Sequence, residues 1–165
     1  MRNFNRCFDN DGKQGGKRFN NLHRLTERQK LIQDEDKRLA KKCASKIGLE
    51  LKEFQTNDVL EIYFSVCRDE KSICYLSKGW GDPGFRLGEY LEIDKDIPDF
   101  KNKFYKMLKI CAKNIIAVDV SAPKPGKIGL NLQIGLYQKG FNKDVLYEAL
   151  DSLEDSLQKM ISLLK

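Results

Sequence analysis

The 165-residue chain has one histidine and one tryptophan, and its five cysteines include no CxxC pair. Each scarcity removes a class of chemistry. A Ser–His–Asp or Cys–His centre needs a base that titrates near neutrality and is held in place. The only histidine, His23, lies in a Gly- and Asn-rich stretch with nothing to orient it. The GxSxG turn of a nucleophile elbow is absent, and so is the phosphate-cradling GxxxxGK[ST] loop. Gly12-Lys13-Gln14-Gly15-Gly16-Lys17 has the composition of such a loop, but no strand precedes it and no Ser or Thr follows the lysine. A closed zinc site would need Cys and His ligands in pairs. Cys7, Cys43, Cys67, Cys74 and Cys111 offer no such spacing and suit a reducing compartment. No metal and no cofactor is therefore expected.

Long apolar runs are also missing. Stretches such as Ile115-Ile116-Ala117-Val118 fall far short of the roughly 20 residues of a membrane span. The first ten residues, MRNFNRCFDN, have no apolar segment after their charges, unlike a secretory signal. The expectation is a cytoplasmic protein with no membrane contact.

What the chain has is basic charge, placed unevenly. Residues 1–46 carry thirteen Lys or Arg against six Asp or Glu, while the remainder is nearly balanced. Residues 1–25 hold Gly, Asn and Arg without apolar periodicity and read as a flexible basic arm. Within it, Phe4, Phe8 and Phe19 interleave with Arg2, Arg6, Lys17 and Arg18, more than a solubilising tail requires. Such an arm suits ordering on an acidic partner.

Residues 26–165 read as a single α+β domain. Thr26 with Gln29 forms a capping-box signature, and the helix it opens should reach Lys46 or Ile47 before Gly48. The apolar stripe of that helix is thin, so its first half is expected to project into solvent. From about Asp58 the period becomes two: Leu60, Ile62, Phe64 and Val66 alternate with Glu61, Tyr63, Ser65 and Cys67. Arg68-Asp69-Glu70-Lys71 can make a tight connection to a second strand, Ser72 to Lys78, and one register open to that hairpin pairs Cys67 with Ser72. Regular alternation from there places Ile73 and Tyr75 with Phe64 and Val66, and Cys67 and Cys74 diagonally on the opposite face. A third strand spans Phe85 to Ile93, and Pro98 is placed at the first position of a helix to about Lys113, with Phe100, Phe104, Leu108 and Cys111 inward. Strands at 115–120 and 128–137 follow, the second alternating cleanly through Ile128, Leu130, Leu132, Ile134 and Leu136. Asn142 should cap the last helix, whose apolar stripe runs from Leu146 to Leu164. The order is α-β-β-β-α-β-β-α, with a mostly antiparallel five-stranded sheet packed by helices.

Three groups of residues are candidates for function. Glu92, Asp94 and Asp96 alternate at a strand end and form the best carboxylate cluster for acid–base work or a cation. Trp80, in the loop Gly79–Gly84, either anchors a partner or folds back on the core. Tyr63, Cys67, Cys74, Leu76 and Tyr137 make a strand face less polar than solvent alone would require, and Trp80, Tyr63, Leu76 and Tyr137 are the candidate partner-binding residues. Lysines form the third group. Lys106, Lys109 and Lys113 on the second helix, with Lys124 and Lys127 in the next turn, could join Arg2, Arg6, Lys13, Lys17, Arg18 and Arg24 of the arm in a phosphate-binding band. Without RNP, KH or paired zinc-ligand signatures, such binding would follow the backbone and read little sequence.

The element order, ending in GLNLQIGLYQKGFNKDVLYEALDSLEDSLQKMISLL (residues 129–164), resembles the type III secretion chaperone-like fold that the YbjN-type proteins share. That resemblance covers residues 27–165. It implies a small non-enzymatic protein that acts by binding another chain, often as a homodimer, with no catalytic residues to carry over. The leading expectation is thus a non-catalytic protein-binding module, chaperone-like or adaptor. The alternative is an accessory protein that binds the RNA or DNA backbone through the arm and the lysine-rich helix.

Overall fold

The computed structural model describes residues 25–54 and 60–165. Thr26 caps the first helix, α1 (Glu27–Ser45): its hydroxyl accepts from the Gln29 amide and the Gln29 side chain accepts from the Thr26 amide. This reciprocal box satisfies two otherwise orphaned donors. Gly48 stops the helix at φ 73°, a conformation that costs an L side chain energy. Beyond it run β1 (Glu50–Phe54), β2 (Glu61–Arg68), β3 (Lys71–Gly79), β4 (Gly84–Asp94), α2 (Phe100–Lys113), β5 (Ala117–Ser121), β6 (Lys127–Tyr137) and α3 (Lys143–Leu164). The strands form one sheet in the order β1-β2-β3-β4-β6-β5, antiparallel at every pairing. The fold is α+β, with six strands among the described residues rather than five.

The additional strand is β1. Its sequence, Glu-Leu-Lys-Glu-Phe, carries three charges because it lies at the sheet edge and turns only Leu51 toward the core. A charged edge also discourages pairing with a stray strand. Two other boundaries shift. Pro98 stands ahead of Asp99, the N-cap of α2, which has φ 56° and no side-chain cap bond, so helical geometry begins only at Phe100. At the other end Ile115, at φ 57°, turns the chain out of α2 and delays β5 to Ala117.

The β2–β3 hairpin turns at Asp69 and Glu70, both with positive φ, and Cys67 pairs with Ser72. The next step departs from regular alternation. Val66 pairs with Cys74, so Ile73 is an extra residue on β3, a β-bulge. One inserted residue reverses the faces of everything beyond it. Cys74 and Leu76 therefore join Phe64 and Val66 on the core side, and Tyr75 and Ser77 move to the opposite side. Leu76 is fully buried, which removes it from the candidate partner-binding surface. Cys74 leaves the face expected for the cysteine pair, and burial raises its thiol pKa well above the ordinary value.

All three helices cover one face. Ala40, Cys43 and Ala44 of α1, Met107 and Cys111 of α2, and Leu146, Leu150, Leu153 and Met160 of α3 share a core with the inward residues of β2, β3, β4 and β6. The opposite face is overlaid by tyrosines lying across glycines. Tyr75 crosses Gly88, donates to Asn131 Oδ1 at 2.7 Å and accepts from Gln133 Nε2 at 3.0 Å, while Tyr90 crosses Gly129. A Cβ at position 88 would come within 2.6 Å of the Leu132 carbonyl oxygen and would also strike the Tyr75 ring. Gly88→Ala is expected to lower stability by about 1–3 kcal/mol, read from urea unfolding. Burial pushes the Tyr75 hydroxyl up to about 12 from 10.0. A phenol held protonated in the fold supports it below its unfolded pKa and loses that support as pH rises. Stability should thus decline between pH 10 and about 12, and Tyr75→Phe should flatten that decline in unfolding midpoints taken across the range.

Candidate functional site

The strand registers bring several exposed aromatics to one end of the sheet. Phe54, Tyr63, Ser77, Arg86 and Gly135 lie in one row across β1, β2, β3, β4 and β6. Glu61 and Gly79 open the adjacent row, and Gly84 and Tyr137 close it. Phe54, Tyr137 and Trp80 are all exposed there, Trp80 at 43% and Tyr137 at 73%. Tyr63 is half-buried against Tyr75, with ring centroids 5.4 Å apart.

Trp80 is presented by a tied turn. The Asp82 amide donates to the Gly79 carbonyl at 3.1 Å, and Gly81 at φ 84° supplies the positive φ that a type II turn requires at its third position. The Trp80 amide donates to Leu60 O at 2.8 Å, and Asp82 Oδ2 accepts from the Gly79 amide and from Arg86 Nη2, both at 2.9 Å. The Gln138 amide donates to Pro83 O at 2.9 Å and fastens the end of β6 to the same turn. The indole therefore stands on a braced corner.

Beside it is a cavity of about 270 Å³. Ile32, Leu60, Ile62 and Trp80 form its apolar walls, and Asp36, Lys78 and Gln138 supply polar groups. Those three bond to one another in a closed ring. Lys78 Nζ donates to Asp36 Oδ2 at 2.5 Å and to Gln138 Oε1 at 2.7 Å, and Gln138 Nε2 donates to Asp36 Oδ1 at 2.7 Å. The Lys78 and Asp36 side chains are only 7% and 4% exposed, and the ammonium also lies 5.5 Å from the Phe85 ring centroid. Two charges withdrawn from water are tolerable only when their hydrogen bonds are met, and this ring meets them.

The ring also anchors the first half of α1, which the thin apolar stripe suggested would project. Asp36 takes the stripe position between Ile32 and Ala40, and Lys78 follows Leu76 on the inward face of β3. Sequence reading passed over both. The available signal was a single charge interrupting each of two apolar stripes.

The carboxylate cluster and the lysine band partly cancel. Lys127 Nζ lies 2.6 Å from Asp94 and 3.6 Å from Glu92, and the Asp94 hydrogen bond is the main reason its pKa is raised. Lys127 is thus committed to the acidic pair, and Asp96 is exposed beyond it. Lys106, Lys109, Lys113 and Lys124 are exposed. Arg2, Arg6, Lys13, Lys17, Arg18 and Arg24, like His23 and Cys7, lie outside the described residues. Among the described residues, no group of three or more His, Cys, Asp or Glu could hold a metal ion, and no helix is long and apolar enough to cross a membrane.

No protein-family model and no curated protein matches the chain. Its fold is similar to the crystal structure of an uncharacterized protein from Methanothermobacter thermautotrophicus, with a TM-score of 0.63 and 11% identity, over 78% of this chain and 96% of that one. At that identity the likeness concerns the fold alone.

The buried ring generates a prediction that separates its two roles. Asp36→Ala strands the Lys78 ammonium and should cost about 3–5 kcal/mol in chemical denaturation. Asp36→Leu combined with Lys78→Met removes both charges at similar volume and should recover most of that loss.

Proposed function

We propose that the chain is a non-catalytic, cytoplasmic protein-binding module that holds a segment of a partner chain across the Trp80 end of its sheet. One observation carries this reading: a braced, partly exposed tryptophan beside an apolar-walled cavity, at the same end of the sheet as exposed Phe54 and Tyr137. Indoles that are rigidly held and half-covered are common anchors in protein interfaces. Four strand spacings separate β1 from β6, about 19 Å, enough for an extended segment of roughly six residues. The polar groups of the cavity are engaged with one another, so the surface on offer is mainly apolar, with Asp82, Glu61 and Arg86 at its rim. The chaperone-like resemblance points the same way, toward a protein that acts by holding another chain.

Trp80 is the chain's only tryptophan, so its fluorescence reports on this site. Peptides selected from a random displayed library against the purified protein should shift that emission on titration. Trp80→Ala should weaken their binding by at least about tenfold while leaving the circular dichroism unchanged. Selected peptides that bind Trp80→Ala as tightly as the parent, or a library that yields no binder, would reject the reading.

A further inference from the structure

Ten of the 24 Lys and Arg side chains among the described residues lie within ion-pair distance of a carboxylate. Lys30 pairs with Glu27, Lys37 with Glu53, Arg68 with Glu154, Lys127 with Asp94 and Lys159 with Asp155. On helix α2 none is so paired. From Phe100 to Lys113 it carries Lys101, Lys103, Lys106, Lys109 and Lys113 and no acidic residue. Among the described residues no carboxylate is within ion-pair distance of any of the five.

Their arrangement is unfavourable for the helix by itself. Lys103 and Lys106 stand at i,i+3, Lys106 and Lys109 at i,i+3, and Lys109 and Lys113 at i,i+4, spacings at which like charges repel. Lys106, Lys109 and Lys113 point away from the buried side of Met107 and Cys111 and are exposed to water. One aromatic joins them: Tyr105 is 58% exposed, with Lys109 Nζ 4.5 Å from its ring centroid. The helix's other aromatics, Phe100 and Phe104, stack on each other and pack against the core, so α2 has no apolar face to insert into a lipid surface.

We infer that the outer face of α2 is a binding surface for single-stranded nucleic acid, with phosphates held by Lys106, Lys109 and Lys113 and an unpaired base stacked on Tyr105. Lysines are point charges that hold phosphates without reading sequence, and an exposed aromatic beside them gives an unstacked base a platform. Lys106 to Lys113 is about 10 Å of helix, the length of roughly three nucleotides at the stacked spacing of one strand. A duplex keeps its bases paired and cannot use Tyr105. An acidic peptide could satisfy the lysines but gains little from the ring. None of these residues lines the Trp80 cavity, so this surface stands independently of the peptide-binding reading.

The test measures fluorescence anisotropy of labelled oligo(U) and oligo(dT) against the full-length chain over a salt series. Parallel arms use a DNA duplex, polyglutamate and vesicles containing phosphatidylserine. The single strands should bind most tightly, with RNA and DNA distinguished by their two arms. Lys106→Gln/Lys109→Gln/Lys113→Gln should weaken binding by at least about tenfold at low salt and reduce the log–log salt slope by about 2. Tyr105→Ala should weaken it by about tenfold with the slope unchanged, a split that general charge attraction would not produce. All four positions are on the solvent side, and an unchanged thermal transition will verify the fold. The inference is overturned if the triple variant binds within twofold of the parent, which would place any binding elsewhere. It is equally overturned if Tyr105→Ala has no effect, or if duplex, polyglutamate or vesicles bind as tightly as the single strands.

Discussion

The register of the β2–β3 hairpin is the constraint on which much of the molecule depends. The bulge at Ile73 turns Cys74, Leu76 and Lys78 inward together. With Lys78 inward, a charge enters the helix-covered layer and must be answered there. Asp36 answers it from α1 and Gln138 from the end of β6, so one hydrogen-bonded ring joins three distant parts of the chain. The first half of α1, poor in apolar residues, is fixed by that ring. Trp80 follows Lys78 by two residues, so the same register sets where its turn begins.

The two faces of the sheet are closed by different means. On the helix side, Leu, Ile, Phe and Met side chains fill the layer by ordinary burial. On the other side no second layer is found among the described residues, and tyrosines spread over Gly88 and Gly129 protect the backbone. The Tyr75 hydroxyl is tied down by Asn131 and Gln133, which fixes a large flat side chain across the sheet. Arg86, Glu92, Asp94, Asp119 and Lys127 share this face, and its charges are mixed. The basic surplus of the described residues is instead most concentrated on α2, away from the tyrosines.

What was legible in the sequence was local. The Thr26–Gln29 box, the Asn142 cap, the unbroken alternation of β6 and the stripe of α3 each depend on residues a few positions apart, and each is found in the structure. The missing β1 and the misplaced Leu76 share a different cause. An edge strand of five residues with three charges has no alternation to detect, and an inserted residue changes face parity without any sign in composition. The Asp36–Lys78–Gln138 ring was illegible because its partners are far apart along the chain. Trp80 and the α2 lysines were picked out by residue type alone. Their settings, a braced corner beside a cavity and a helix face without carboxylates, required the register and the charge pairing to be known.

The place of β6 between β4 and β5 bears on how the chain acquires its shape. β2, β3 and β4 follow one another through short turns and can zip together as a local meander. The β4–β6 ladder, from Asp94 with Lys127 to Gly84 with Tyr137, must wait for α2 and β5 to be looped out. Loop-closure entropy is spent before any of those contacts is gained, which slows nonlocal pairing. Among the described strands β5 has no neighbour except β6, so it cannot pair with them earlier. Until that closure, the apolar flank of β4 from Phe85 to Ile93 is an open edge, and the time it stays open sets the chain's exposure to aggregation while it folds.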